Sequence, residues 1–268
     1  MHVYVQYAPN VAYDAEAGRG TQAIDRALLI LELFDEQVVR MSVADIAAGI
    51  GVHRTTAARM LATLARHRLV ELDADSGTYE LGLGLVSLGG HVLNRFAARA
   101  NGREIVHDLR DATRETAYLG VLDGDEVVYI DQASSPYVRV NVDWVGRRQP
   151  LTAGVTGAVL LAFMPPEVIQ EVRQARRGDR EIPEYARLSE AELAAVREQD
   201  HLARYREPTS DVAVVAAPVR DVRGDVVAAV LLEGPHHRIS EERFAEELVP
   251  ATRRAAARIS EALGFTGR

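Results

Sequence analysis

From Ala23 onward apolar residues recur at three- and four-residue steps, so that Ala23, Ile24, Ala27, Leu28, Leu31 and Phe34 share one face of a predicted helix. Ser42 offers an N-cap to a short helix over Val43–Ile50, with Asp45 three residues on in the place usual for Glu or Gln in a capping box. Gly51-Val52 breaks that helix. A third helix is predicted from His53 to His67, with Ala57, Met60, Leu61 and Leu64 as its apolar stripe. The period then shortens. Leu69–Leu72 and Thr78–Leu81 flank the polar turn Asp73–Gly77, a hairpin by its turn chemistry. Three helices followed by a hairpin describe a winged helix-turn-helix.

Beyond the hairpin, Gly82 and Gly84 flank Leu83 as a flexible hinge, and Leu83–Asn94 continues as an apolar connecting helix. Phe96–Arg103 turns small and polar and marks a domain boundary. Glu104–Arg114 reads as helix, and Thr116–Leu122 and Val127–Gln132 as strands joined by Asp123-Gly124-Asp125. Tyr137–Val142 alternates again, and Gly154–Phe163 is an apolar helix ended by Pro165-Pro166. Ser189–Asp200 is a capped amphipathic helix, and Val212–Val219 and Val226–Leu232 are strands around Asp221–Asp225. Ser240 caps a terminal helix reaching Leu263. Residues 1–20 lack periodicity and read as a disordered arm. The organisation expected is a winged helix-turn-helix over 21–82, a linker helix over 83–102 and a second domain over 103–268, with an α+β class overall.

Charge first argues against nucleic acid, because the chain carries a formal net charge of −8. The distribution reverses that. Between Val52 and Val70 stand Arg54, Arg59, Arg66 and Arg68, with His53 and His67 and no acidic residue. An acid-free arginine helix behind a capped short helix is the electrostatic footprint of a recognition helix. The chain has no cysteine and no lysine, which removes disulfides, thiolate nucleophiles, Cys-type zinc sites, Schiff bases and a P-loop lysine. It also lacks G-x-S-x-G, H-E-x-x-H and a G-x-G-x-x-G opening a helix, so no enzyme motif and no cofactor site is expected. His236-His237 reads as a surface loop rather than a metal site, since adjacent side chains on an extended segment point apart. No membrane span or secretory signal is legible, and a cytoplasmic protein is expected.

Five stretches in fixed order carry a resemblance: Ser42–Val70, Tyr79–Gly89, Leu119–Pro136, Gly146–Phe163 and Val214–Ser240. The chain resembles IclR-type bacterial transcriptional regulators from about Thr21 to Leu263. The resemblance implies a winged helix that binds operator DNA, a C-terminal GAF-like α/β domain that binds a small metabolite, and a homodimer or tetramer whose dimers meet through the N-terminal half. Carried over by position, His53, Arg54, Thr55, Thr56 and Arg59 fall at the start of the recognition helix, and Ser76 and Thr78 in the wing. Thr55 equally suits the helix N-cap.

Effector-pocket positions carried over in the same way are Val138, Asn141, Val155, Thr156, Gly157, Arg204, Val212, Val214, Leu231 and Glu233. The block from Pro150 departs from the common P-L-H-x-T-A-x-G-K pattern, with Thr152 for His, Gly154 for Thr, Val155 for Ala and Ala158 for Lys. Its helix start still offers the amides of Val155, Thr156 and Gly157 to an anion. An inward Glu233 would repel a bare carboxylate unless Arg204 or Arg139 pairs with it, whereas at a strand end it would face solvent. The effector is expected to be an organic acid or a partly apolar catabolic intermediate. An inward Glu233 favours a larger, partly apolar ligand with hydroxyl or amine groups. A metabolic enzyme with a helical assembly domain, and a regulator whose pocket serves only as a scaffold, are the alternatives.

Overall fold

The computed structural model describes residues 22–35, 38–93, 96–137, 142–175, 189–206 and 211–267, and these fall into two compact units that divide between residues 95 and 96. The residues read as an N-terminal arm lie outside the described ones. In the first unit, α1 (Gln22–Glu32), α2 (Val43–Gly49) and α3 (Arg54–Arg66) precede the wing strands β2 (Val70–Asp73) and β3 (Thr78–Leu81), and α4 (Gly84–Leu93) follows. A two-residue strand unseen in the sequence, β1 (Met41–Ser42), pairs antiparallel with β3, giving the sheet order β1-β3-β2. Ile30, Phe34, Ile46, Ala57, Leu61, Leu64 and Val70 form the core.

The apolar stripe predicted on α1 divides in two. Of its members Phe34 is buried, but Ile24 and Leu28 are 59% and 53% exposed, and Ile30, outside the predicted stripe, is fully buried. Period alone does not say which of two neighbouring apolar rows meets the core. The glycines after the wing also have a different role from a hinge. Arg68 is left-handed (φ 59°), and its carbonyl accepts from the Gly84 amide at 2.8 Å. A Cβ on Gly82 or Gly84 would overlap that carbonyl oxygen, so the pair permits a tight backbone crossing.

The second unit opens with α5 (Ala97–Thr113), which begins earlier than the helix read from Glu104. Its small residues are helical. Ala98 and Gly102 are buried, and a Cβ on Gly102 would meet Ile259 and Leu119 at 3.1 and 3.3 Å. Close packing against the sheet, not a linker, selects them. Strands β4 (Thr116–Asp123), β5 (Glu126–Ala133), β6 (Arg148–Pro150), β7 (Leu202–Arg204), β8 (Val212–Arg220) and β9 (Val226–Pro235) form one antiparallel sheet in the order β6-β5-β4-β9-β8-β7. Gly124 and Gly224, at φ 65° and 88°, turn the two predicted hairpins.

On one face of this sheet α6 (Gly154–Ala162) and α8 (Glu190–Gln199) pack over Tyr118, Tyr129, Val214, Ala216, Ala229 and Leu231. The other face meets α5 and α10 (Val249–Ala262). The segment α9 (Glu241–Arg243) leads through a π-helical turn at Phe244–Leu248 into α10, with Ser240 as the predicted cap accepting from the Arg243 amide. As predicted, α6 ends ahead of Pro165-Pro166, with Phe163 as its C-cap. Pro166 opens a further helix, α7 (Pro166–Ala175), where its missing N–H is not needed. Buried Glu115, at the foot of β4, accepts from Arg238 and Arg243 and so ties β4 to the chain that follows β9. The alternating segment read at Tyr137–Val142 lies mostly outside the described residues.

Candidate nucleic-acid interface and effector pocket

Ser42 caps α2 as its position suggests: its hydroxyl accepts from the Asp45 amide at 3.2 Å and donates to the Asp45 carboxylate at 2.6 Å. Gly51 (φ 64°) then turns the chain into α3. His53, not Thr55, is the N-cap of α3. Its Nδ1 accepts from the Thr55 amide at 3.4 Å and lies 2.9 Å from the Thr55 hydroxyl. An accepting Nδ1 puts the ring proton on Nε2, which leaves a donor outside the cap.

His53, Arg54, Thr55 and Arg59 are exposed, whereas Thr56 is half-buried. Ala58, Ala62, Thr63 and Arg66 extend the exposed surface along the next turns. The two alanines carry nothing that sequence reasoning marks as chemistry. Small side chains do, however, let a helix backbone approach base edges, and they suit a thymine methyl.

In the wing, Ser76 is exposed and donates to Asp73 at 2.8 Å, and its oxygen lies 2.6 Å from the hydroxyl of half-buried Thr78. Both predicted contact hydroxyls thus also close the turn. The Ser76 hydroxyl and the Asp75 amide hold the Asp73 carboxyl below its ordinary range. Arg40 bridges Asp73 and Glu80 at 2.8 and 2.9 Å and so offsets two acids of the wing hairpin.

In the second unit α6 starts without a side-chain cap, after Gly154 at φ 68°. Val155, Thr156 and Gly157 are buried in its first turn. A Cβ on Gly157 would overlap the Leu151 carbonyl oxygen, so glycine lets the helix start close over the incoming loop. Thr152 is buried, and its hydroxyl has no partner among the described residues.

The sheet answers with a polar and aromatic cluster. Tyr129 lies 3.0 Å from Gln149 Oε1 and 3.2 Å from the Thr156 hydroxyl, and burial pushes its phenol well above the usual range, so it stays a neutral donor. Tyr118 donates to Glu233 at 2.6 Å. The Tyr118 and Tyr129 ring centroids are 5.6 Å apart, and Trp144 stands edge-on to Tyr129 at 5.7 Å. Gln132 fixes the Trp144 backbone, accepting from its amide at 2.7 Å and donating to the Val142 carbonyl at 3.1 Å.

Pairing register aligns the carried-over positions. Arg204 pairs with Val214, and Val214 with Glu233, across β7, β8 and β9. Val214 and Leu231 are buried and Val212 is half-buried. Glu233 lies on the α6 side of the sheet, not at a solvated strand end. Burial raises its carboxyl above the ordinary range, with the Tyr118 hydroxyl acting against that shift.

Of the two arginines that could pair with an inward Glu233, Arg204 does not. It reaches Glu192 on α8 at 3.2 Å. Burial would raise the Glu192 carboxyl, but the Ser189 amide and hydroxyl and the Arg204 guanidinium outweigh it and hold the group below its usual range. Val138, Asn141 and Arg139 lie outside the described residues. Sequence reasoning missed Tyr118, Tyr129, Trp144 and Gln149, whose one available signal was alternation along β4 and β5.

His236 and His237 lie on a tight 3-10 turn rather than an extended segment, and His236 contacts Asp211 and Arg206. Among the described residues no group of three or more His, Asp or Glu could hold a metal, and no helix is long and apolar enough to cross a membrane.

A winged helix with an acid-free arginine face, in one chain with a sheet-and-helix domain holding an aromatic and polar cluster, defines a ligand-responsive DNA-binding regulator. The IclR helix-turn-helix domain matches residues 23–74, and the bacterial transcriptional regulator IclR C-terminal domain matches residues 90–261. The chain is 34% identical over 250 residues to the glycerol operon regulatory protein of Streptomyces griseus, covering 92% of this chain and 98% of that one. It is 30% identical over 250 residues to the HTH-type transcriptional regulator XynR of Escherichia coli (strain K12), covering 91% and 98%. An IclR homologue from Microbacterium hydrocarbonoxydans, crystallised with 4-hydroxybenzoate, is similar with a TM-score of 0.73 at 25% identity, covering 90% and 98%. The chain belongs to the IclR family of bacterial transcriptional regulators.

Proposed function

We propose that α3 enters the major groove of an operator, with His53, Arg54, Thr55, Thr56 and Arg59 at base edges and phosphates and Ser76 and Thr78 beside the backbone. A small, partly apolar organic effector binds on the α6 side of the second sheet, against Val155, Thr156, Gly157, Arg204, Val212, Val214, Leu231 and Glu233, with Val138 and Asn141 completing the site. The Microbacterium homologue, seen with 4-hydroxybenzoate, supports an organic effector of this size. Binding there shifts the population of arrangements in which two recognition helices match two half-sites. The reading rests on one observation above the others: Arg54, Arg59 and Arg66 stand exposed on an acid-free helix in a chain of net charge −8.

The protein acts as a homodimer or tetramer in the cytoplasm, where operator DNA is found. Ile24 and Leu28 on α1, and Val86 and Val92 on α4 at 69% and 54% exposure, support assembly through the N-terminal half. Fluorescence anisotropy on the DNA upstream of the protein's own gene tests the reading, with and without candidate metabolites. Affinity should fall steeply with added salt, and Arg59→Ala should weaken binding by about tenfold or more. Equal binding by wild type and variant, or no retention at low salt, overturns it.

A further inference from the structure

We propose that the effector of this chain is an organic cation, a primary or methylated amine whose ammonium group is met by Glu233 beside Tyr118 and Tyr129. The inference rests on reading the α6 side of the sheet as the effector pocket.

Position comes first. Glu233 projects on the same side of the sheet as Leu231, two residues earlier on β9, and Val214, its partner on β8. Both neighbours are buried, yet Glu233 is only half-buried. Glu233 therefore keeps more exposure than the two side chains beside it on this face.

Charge comes second. The side chain that meets Glu233 is a neutral phenol, Tyr118, at 2.6 Å. Among the described residues no cation pairs with Glu233. Arg204, two strands away in register, reaches Glu192 instead. A carboxyl group on the inner side of a domain is normally paired, and among the described residues this one meets a single hydroxyl. An ammonium ligand supplies the missing charge. A carboxylate ligand would add a second negative charge to the same space.

The surroundings come third. Tyr118 and Tyr129 stand 5.6 Å apart at 59°, and Trp144 closes on Tyr129 edge-on. Aromatic faces attract ammonium groups, most strongly where water is excluded, and they pack against the carbon frame around one. Burial also favours the protonated form of Glu233, which is the penalty an incoming cation would relieve.

Trp144 is the chain's one tryptophan, so its emission reports events at this site. The full chain is titrated at pH 7.5 with 2-phenylethylamine, its trimethylammonium derivative, 2-phenylethanol and 3-phenylpropanoate, four ligands matched in frame and differing in charge. The two cations should change Trp144 emission saturably, the alcohol should bind at least about tenfold more weakly, and the acid should not bind. Glu233→Gln should erase the preference for cations, and Glu233→Asp, which keeps the charge, should retain it. Thermal melting of each variant confirms that it folds. If the alcohol or the acid binds as well as the amines, the cation inference falls and the pocket stands. If none of the four produces a saturable change, both fall.

Discussion

At Gly157 the first turn of α6 lies so close to Leu151 that a methyl group would overlap the carbonyl oxygen. The clash is with backbone, which cannot swing aside as a side-chain tip would. Gly157→Ala should therefore lower stability by about 1–3 kcal/mol, although alanine is the better helix former. A thermal melt reads this, and an unchanged or raised melting temperature would show that the loop yields. Glu233 makes the opposite kind of prediction, one of charge. Burial holds its carboxyl above the unfolded value, so the folded chain binds that proton more readily than the unfolded one. The stability this contributes is fully present below the unfolded value and is lost as pH rises through the folded one. Wild type should thus lose ground against Glu233→Gln between acid and neutral pH. A difference in melting temperature that stays flat across that range argues against an uncompensated carboxylate. At this scale the sequence marked Gly157 for its amide and left Glu233 between an inward and a solvent-facing placement. Tyr118, Tyr129, Trp144 and Gln149 were not, because an aromatic on an alternating strand looks the same whether its face lines a core or a site, and the bulge between Leu119 and Gly120 shifts the register that decides it.

Elements with their own punctuation were read well, and elements defined by what they pack on were not. Ser42, Ser189 and Ser240 each cap the helix their position suggests. The start of α5 was lost because small residues mark both loops and close packing, and only the partner, here Ile259 and Leu119, tells the two apart. The division of α1 into a buried and an exposed apolar row has the same cause. The recognition helix allows the two roles of one residue to be separated. His53 caps α3 through Nδ1, and its Nε2 takes no part in the cap. His53→Ala should destabilise the first unit by about 1 kcal/mol, and His53→Ser should restore most of that, since serine is a good N-cap. If His53 also touches the operator, the serine variant should melt like wild type yet bind more weakly. Equal affinity for wild type and the serine variant would confine His53 to capping. Chemical denaturation and anisotropy on the same two proteins decide between these outcomes.

Over the whole molecule, strand order was beyond the sequence, because β4 finds β9 across more than half of the second unit and no local signal reports such a pairing. Charge was legible once it was resolved by segment, and it sets how the molecule should bind DNA. With a net charge of −8, attraction to the duplex comes from a few arginines rather than from the protein's overall field. Each neutralised phosphate adds about −0.9 to the slope of log affinity against log salt concentration. Arg54, Arg59, Arg66 and Arg68 on one protomer therefore allow a slope of at most roughly −3.6, and two protomers roughly −7, less whatever share of arginines reads guanine instead. The slope thus counts recognition helices as well as charges. A variant that breaks the exposed apolar surface of α4, Val86→Glu with Val92→Glu, should leave a folded monomer by sedimentation. Its salt slope should fall to about half that of wild type, and its affinity should drop far more than either helix alone accounts for. A double variant that remains dimeric would move the assembly surface away from α4. A monomer with the wild-type slope would mean that one recognition helix, with contacts beyond these arginines, makes the whole electrostatic footprint.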